Sequence, residues 1–198
     1  MIVTPNPQRR SEKSRQAILS AALELCTEKG YGRVTMESIA ARAGVSKKTI
    51  YRWWHSKGAV LLEAVIEALV SVTPFPDTGD LEADLRTHMV GAVRLLTSPP
   101  FGPAYTGILA EMYHDDSLAR AVNDQLVGPR AEAARDRLRS AQKQGRLPMD
   151  ADLDLAVEML YGPLYYRNAL RKPPHTVERH ALLAEHVLRA LGHNQNGL

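Results

Sequence analysis

An all-α fold of about nine helices is what the sequence predicts, and three observations carry it. Apolar residues recur at three- and four-residue spacings along nearly the whole chain, and no stretch alternates as a strand would. Gly and Pro interrupt that pattern at helix-length intervals, at Gly44, Pro74 and Pro76, Pro99 and Pro100, Gly145, and Pro173 and Pro174. Charge is unevenly divided: residues 1–57 hold 11 Lys or Arg against 4 Asp or Glu, a net of +7, whereas residues 58–198 hold 14 against 18, a net of −4. A basic first quarter on a mildly acidic remainder suggests that one end meets a polyanion and the other does not, with an ordinary solvated basic face as the alternative.

The elements follow in order. Residues 1–10 carry Pro5, Pro7, Arg9 and Arg10 without an apolar signal core and read as a flexible arm. Ser11 is the candidate cap of a first helix with Ile18, Ala21, Ala22 and Leu25 on one face, ended by Gly30 and Gly32. Thr35 caps a short helix over 36–43 that buries Ile39, Ala40 and Ala43, and Gly44 breaks it. Ser46 caps a second short helix over 47–53, and Ser56 a longer one over 57–70. Asp80 opens a helix with Leu81, Leu85, Met89, Ala92, Val93 and Leu96 on one face. Further helices are expected over 103–114, 117–143, 152–171 and 175–191. The third-last is kinked or broken at Gly128 and Pro129, and residues 192–198 are expected to be disordered.

Several function classes are excluded or disfavoured at this level. No run of about 18 apolar residues is present, so no membrane span is expected. Cys26 is the only cysteine, which rules out an intrachain disulfide, fits a core position and suits a cytoplasmic protein. No phosphate-cradling glycine loop, nucleophile elbow or His-Glu-x-x-His is found, so neither an enzyme nor a cofactor is expected. His114, Asp115 and Asp116 are a weak metal set, and His175, His180 and His186 do not share a helical face in ligand fashion.

The strongest signal lies between Thr35 and Trp54. Two short capped helices meet at a glycine within a basic region, and polar and aromatic residues open the second. A helix-turn-helix needs this arrangement, because its second helix enters the major groove with its N-terminal residues at base edges. Ile39, Val45 and Ile50 would form the small core that fixes the crossing angle. The run Ala40-Ala41-Arg42-Ala43-Gly44-Val45-Ser46-Lys47-Lys48-Thr49-Ile50-Tyr51-Arg52-Trp53-Trp54, with Ser56-Lys57 after it, resembles the signature of TetR-type transcriptional regulators. The resemblance covers residues 12–70.

That resemblance implies a map of DNA contacts. Lys47, Lys48, Tyr51 and Arg52 would read bases, with Lys and Arg suited to guanine O6 and N7. Thr35, Ser46, Thr49, Trp53 and Lys57 complete the DNA-contact set, most of them at phosphate positions, and Arg9, Arg10, Lys13 and Arg15 would follow the backbone or enter the minor groove. Trp54 falls at a core position and Arg42 at the surface. Because one short recognition helix reads only a few base pairs, a homodimer on a palindromic operator is implied.

From residue 58 onward the chain resembles the ligand-binding and dimerisation domain of the same family, and Gly162-Pro163-Leu164-Tyr165-Tyr166-Arg167 resembles a motif of one subgroup. Pro163 removes a helix hydrogen bond next to aromatic residues, which makes a pocket wall or a packing kink. The last two helices would form a four-helix bundle with the partner's, through Tyr166, Leu170, Leu183, Val187, Ala190 and Leu191. A small, largely apolar effector would lie among His88, Met89, Tyr105, Leu109, Met112, Tyr113, Met159 and Tyr165 and release a repressor from DNA. The alternative keeps the helix-turn-helix and makes the C-terminal domain a protein-interaction module without a small-molecule effector.

Overall fold

The computed structural model describes residues 7–72, 75–173 and 176–192. Within them run ten α-helices: α1 (Pro7–Lys29), α2 (Met36–Arg42), α3 (Lys47–Tyr51), α4 (Lys57–Val72), α5 (Leu81–Thr97), α6 (Phe101–Glu111), α7 (Asp116–Val122), α8 (Gly128–Lys143), α9 (Leu153–Ala169) and α10 (Val177–Ala190). A 3-10 turn, Tyr31–Arg33, follows α1, and a π segment, Asn123–Val127, joins α7 to α8. No strand occurs among the described residues. Since α7, the π segment and α8 are continuous, nine helical runs result.

The chain divides into two compact units, Met1–Ala68 with Ser98–Val122, and Leu69–Thr97 with Asn123–Leu198. In the first, α1 packs against α2 and α6. Ile18, Ala21, Ala22 and Leu25 are buried as their spacing requires, together with Cys26. The expected arm is shorter than ten residues: α1 starts at Pro7, so Ser11 lies inside the helix instead of capping it. Proline is tolerated there because a first-turn residue has no intrahelical N–H bond to lose. Residues 1–6 lie outside the described residues. Likewise α6 starts at Phe101, ahead of the expected 103, with Pro103 in its first turn, and it ends at Glu111. This unit takes in all of 58–68 and 98–122, so the expected boundary after 57 falls inside it: α4 buries Val60, Leu61, Leu62, Ala64 and Val65.

In the second unit α10 packs on α5 and α9, and α8 on α9. Leu85, Met89, Leu138, Leu160 and Leu188 are among its fully buried core residues. The expected face of α5 is buried throughout, and Asp80 caps it by accepting from the amide of Ala83 at 3.0 Å. One charged pair lies inside: Arg137 donates through Nε and Nη2 to Asp84 at 3.0 and 2.8 Å. The amide and hydroxyl of Thr78 also donate to Asp84, at 3.0 and 2.7 Å, which pins the loop ahead of α5. Gly128 and Pro129 widen the helix and do not end it. Pro129 brings no N–H, its ring crowds the carbonyl four residues back, and the π segment spanning that carbonyl makes room. By contrast α9 runs unbroken across Pro163, with Asp152 as its cap. Val187 faces inward and is fully buried with Ala184 and Leu188, which removes it from the residues expected at a subunit interface. His175 and residues 193–198 lie outside the described residues.

Candidate nucleic-acid interface

Local chemistry sets the frame of the motif. Thr35 and Ser38 form a reciprocal capping box at the start of α2, each side chain accepting from the other's amide at 3.1 Å. At the other end Gly44 takes φ +66°, the amide of Gly44 reaches the carbonyl of Ala41, and that of Val45 reaches Ala40 at 3.0 Å. This pair of bonds closes α2 and turns the chain sharply, in a conformation that costs glycine nothing. Ser46 then accepts from the amide of Thr49 at 3.1 Å and caps α3.

Ile39 and Ile50 are fully buried where α2 and α3 meet, and Ala40 is small enough to let them approach. The opposite side of α3 is open: Lys47, Lys48, Tyr51 and Arg52 are exposed, while Thr49 and Trp53 are half-buried. Arg52 now caps the C-terminus of α3, and its guanidinium lies 5.3 Å from the centre of the Trp53 ring. The ammonium of Lys47 lies 3.2 Å from Glu37. Glu37's own backbone amide, and then Lys47, hold that carboxyl below the ordinary range.

Behind this face lies a brace that the sequence reading missed. Trp54 is buried, meets Trp53 edge-on at 5.3 Å, and donates its Nε1 proton to Glu63 of α4. The other Glu63 oxygen accepts from Arg15 Nε at 2.6 Å, and Arg15 also reaches Glu12 and Glu67. Arg15, expected along the DNA backbone, is therefore held by three carboxylates. Arg42 is similarly engaged, bridging α2 to Glu24 and Glu28 of α1. A buried indole N–H signals that an acceptor is needed, but which carboxylate supplies it depends on tertiary packing. Lys57 is half-buried, with its ammonium 3.7 Å from Glu111.

The residues expected around an effector fall in different units: Tyr105, Leu109, Met112 and Tyr113 in the first, His88, Met89, Met159 and Tyr165 in the second. Tyr113 is 76% exposed, and Met89 is a fully buried core residue. His88 is buried, stacks on Phe75 at 3.8 Å and lies 2.7 Å from the hydroxyl of Tyr161. Burial raises the phenol pKa of Tyr161 and lowers that of the guanidinium of Arg130, whose field reaches Tyr161 and Tyr165. Phe75, Arg130 and Tyr161 were not singled out by sequence. On the outward side of α9, Tyr166 and Leu170 are 55% and 53% exposed, joined by Leu155, with Leu182 on α10. Leu183 and Leu191 are half-buried, and Ala190 is exposed.

A short polar helix presented by a braced, glycine-turned partner defines a helix-turn-helix DNA-binding protein. Residues 18–64 match the bacterial regulatory proteins of the tetR family, and residues 75–187 match the tetracyclin repressor-like C-terminal domain. The chain belongs to the TetR family of helix-turn-helix transcriptional regulators. It is 36% identical over 158 residues to the HTH-type transcriptional regulator YdeS of Bacillus subtilis, covering 80% of this chain and 79% of that one. It is 32% identical over 166 residues to the DNA-binding transcriptional repressor TetR of Mycobacteroides abscessus, covering 83% and 86%. The crystal structure of the TetR family transcription regulator SCO0332 superposes with a TM-score of 0.74 at 32% identity, covering 89% of this chain and 97% of that one. No helix among the described residues is long and apolar enough to cross a membrane.

Proposed function

We propose that this chain is a repressor that holds a palindromic operator as a homodimer and is released by a small, largely apolar ligand. The observation that carries the DNA part is the row of exposed side chains on α3, Lys47, Lys48, Tyr51 and Arg52, on a helix anchored through buried Ile50. In this proposal residues 1–57 carry the DNA contacts, with Thr35, Ser46, Thr49, Trp53 and Lys57 completing the set. Residues 58–198 carry the partner and effector contacts. Repression as the sign of regulation is supported by the relative named as a repressor. Exposed Tyr166 and Leu170 on α9, with Leu182 on α10, are apolar surface of the kind a subunit interface buries. The His88–Tyr161 pair, with His88 buried and Tyr161 half-buried beside an apolar core, supports an effector site with few polar contacts. A DNA-binding regulator of a bacterial family would act in the cytoplasm, where the chromosome is.

Binding to DNA from the gene's own upstream region, against a scrambled fragment at several salt concentrations, tests this function. The wild type should prefer its own fragment, and Lys47→Ala, Tyr51→Ala and Arg52→Ala should lose that preference by about 1–3 kcal/mol per lost base contact. Equal, purely salt-driven binding to both fragments would place the operator elsewhere in the genome. Absence of DNA binding by effector-free protein would overturn the proposal.

A further inference from the structure

Lys57 opens α4 directly after the recognition helix, yet its ammonium is already engaged. It donates to the carbonyl of Tyr31 at 3.2 Å, stands 4.5 Å from the centre of the Tyr31 ring, and lies 3.7 Å from Glu111 of α6. Its side chain is 22% exposed and that of Glu111 29%, so both keep a path to solvent. A carbonyl and a ring face solvate a cation without neutralising it, and Glu111 supplies the neutralising charge. Tyr31 adds no charge of its own. Burial, and then the field of Glu111, raise its phenol pKa and keep it protonated.

The surroundings hold Glu111 in place. A Cβ on Gly107 would stand 2.1 Å from the Tyr31 ring, and one on Gly58 would stand 3.3 Å from Glu111 Oε1 and 2.9 Å from Leu118. Glycine at both positions thus lets α6, Tyr31 and the first turn of α4 close around the pair. A carboxylate and a phosphate are alternative anions for one ammonium, and the flexible lysine stem can swing from one to the other.

We propose that Glu111 is an internal competitor for DNA: Lys57 exchanges the Glu111 carboxylate for a backbone phosphate when the protein binds, so Glu111 sets affinity without touching DNA. This rests on Lys57 being a phosphate contact, as in the function proposed above. The same geometry makes α6 a lever on DNA affinity, because displacing Glu111 frees or traps Lys57.

The test is a double-mutant cycle of full-length protein on one DNA duplex, read as affinity against salt. Glu111→Gln keeps the shape and removes the charge, and Glu111→Ala is the second variant should glutamine retain Lys57 by hydrogen bonding. Each should bind about two- to fivefold more tightly than wild type, the range for releasing a partly exposed ion pair. Lys57→Met should bind more weakly, with a log–log salt slope shallower by about 0.9, the value for one phosphate contact. In the Lys57→Met background, Glu111→Gln should change nothing. Unchanged or weaker binding by both Glu111 variants overturns the competition. Tightening that survives in Lys57→Met also overturns it, because general charge repulsion would then account for it. If Lys57→Met leaves the slope unchanged while wild type binds DNA, the role of Lys57 fails and the rest of the DNA map stands. No binding by any variant would instead remove the function on which the proposal rests.

Discussion

Ser46 caps the recognition helix through its hydroxyl, which bonds the amide and hydroxyl of Thr49, and the helix it holds is five residues long. A helix that short has little cooperative reserve, so its cap matters more than it would on a long one. Ser46→Ala should cost about 1 kcal/mol in urea unfolding and weaken preference for the operator beyond its effect on nonspecific DNA. Trp54 acts from beneath. Its indole N–H ends on Glu63, so Trp54→Phe keeps most of the packing but deprives a charged acceptor of its donor. About 1.5–3 kcal/mol of stability should be lost, the usual range for a bond to a charged group. A urea midpoint unchanged from wild type would mean that Arg15 and solvent satisfy Glu63 without it.

At the scale of elements, close approach and a buried ion pair decide the packing. α6 passes so near Tyr31 that Gly107→Ala must displace that ring. A loss of about 1–3 kcal/mol is expected, the range for overpacking, against the small gain alanine normally brings to a helix interior. Chemical denaturation gives the sign directly. In the second unit, Asp84 and Arg137 join α5 to α8 and fix the loop carrying Thr78. Burial alone would raise the Asp84 pKa, but hydrogen bonds from Thr78 and Arg137 bring it below the ordinary 3.8. The folded value is thus lower than the unfolded one. The pair's stabilisation is complete above the unfolded value and is lost as pH falls through the folded value. Asp84→Asn should destabilise by about 3 kcal/mol at neutral pH, because it leaves a buried guanidinium with only the half-exposed Asp77, 3.4 Å away, as its counter-charge. Its deficit relative to wild type should shrink on acidification below pH 4; a constant deficit from pH 7 to pH 3 would exclude the charge as the cause.

For the whole molecule, the proposed assembly makes a prediction that does not require DNA. Leu155, Met159, Gly162, Tyr166 and Leu170 follow one another along α9 at intervals of three and four, a single helical face, and Leu155, Tyr166 and Leu170 on it are exposed. Apolar side chains held in water along such a face favour a partner. Light scattering should find a dimer for the wild type, and Leu170→Glu with Leu182→Glu should give a monomer with unchanged helical circular dichroism. A wild-type monomer at micromolar concentration would remove the dimer from the proposed mechanism.

Much of this protein could be read without its structure. Periodicity and punctuation determine an all-α chain, because buried faces recur with the helix repeat and Gly and Pro end helices by local sterics. The caps at Thr35 and Ser46 and the helix opening at Asp80 were readable because capping is a contact within three residues. Gly44 and the buried Ile39 and Ile50 likewise follow from the motif itself. Tertiary structure alone decided which cations stand exposed and which are packed among carboxylates. Lys48 and Arg52 are exposed, and Lys47 is exposed though near Glu37, whereas Arg15, Arg42 and Lys57 lie more deeply among carboxylates of other helices, and charge counts treat all six alike. It also turned Val187 inward and left Tyr166 outward, a matter of helix rotation against neighbours distant in sequence. Contacts within a turn are encoded by the residues in that turn, but a side chain's partner across the fold is encoded by every element that packs between them.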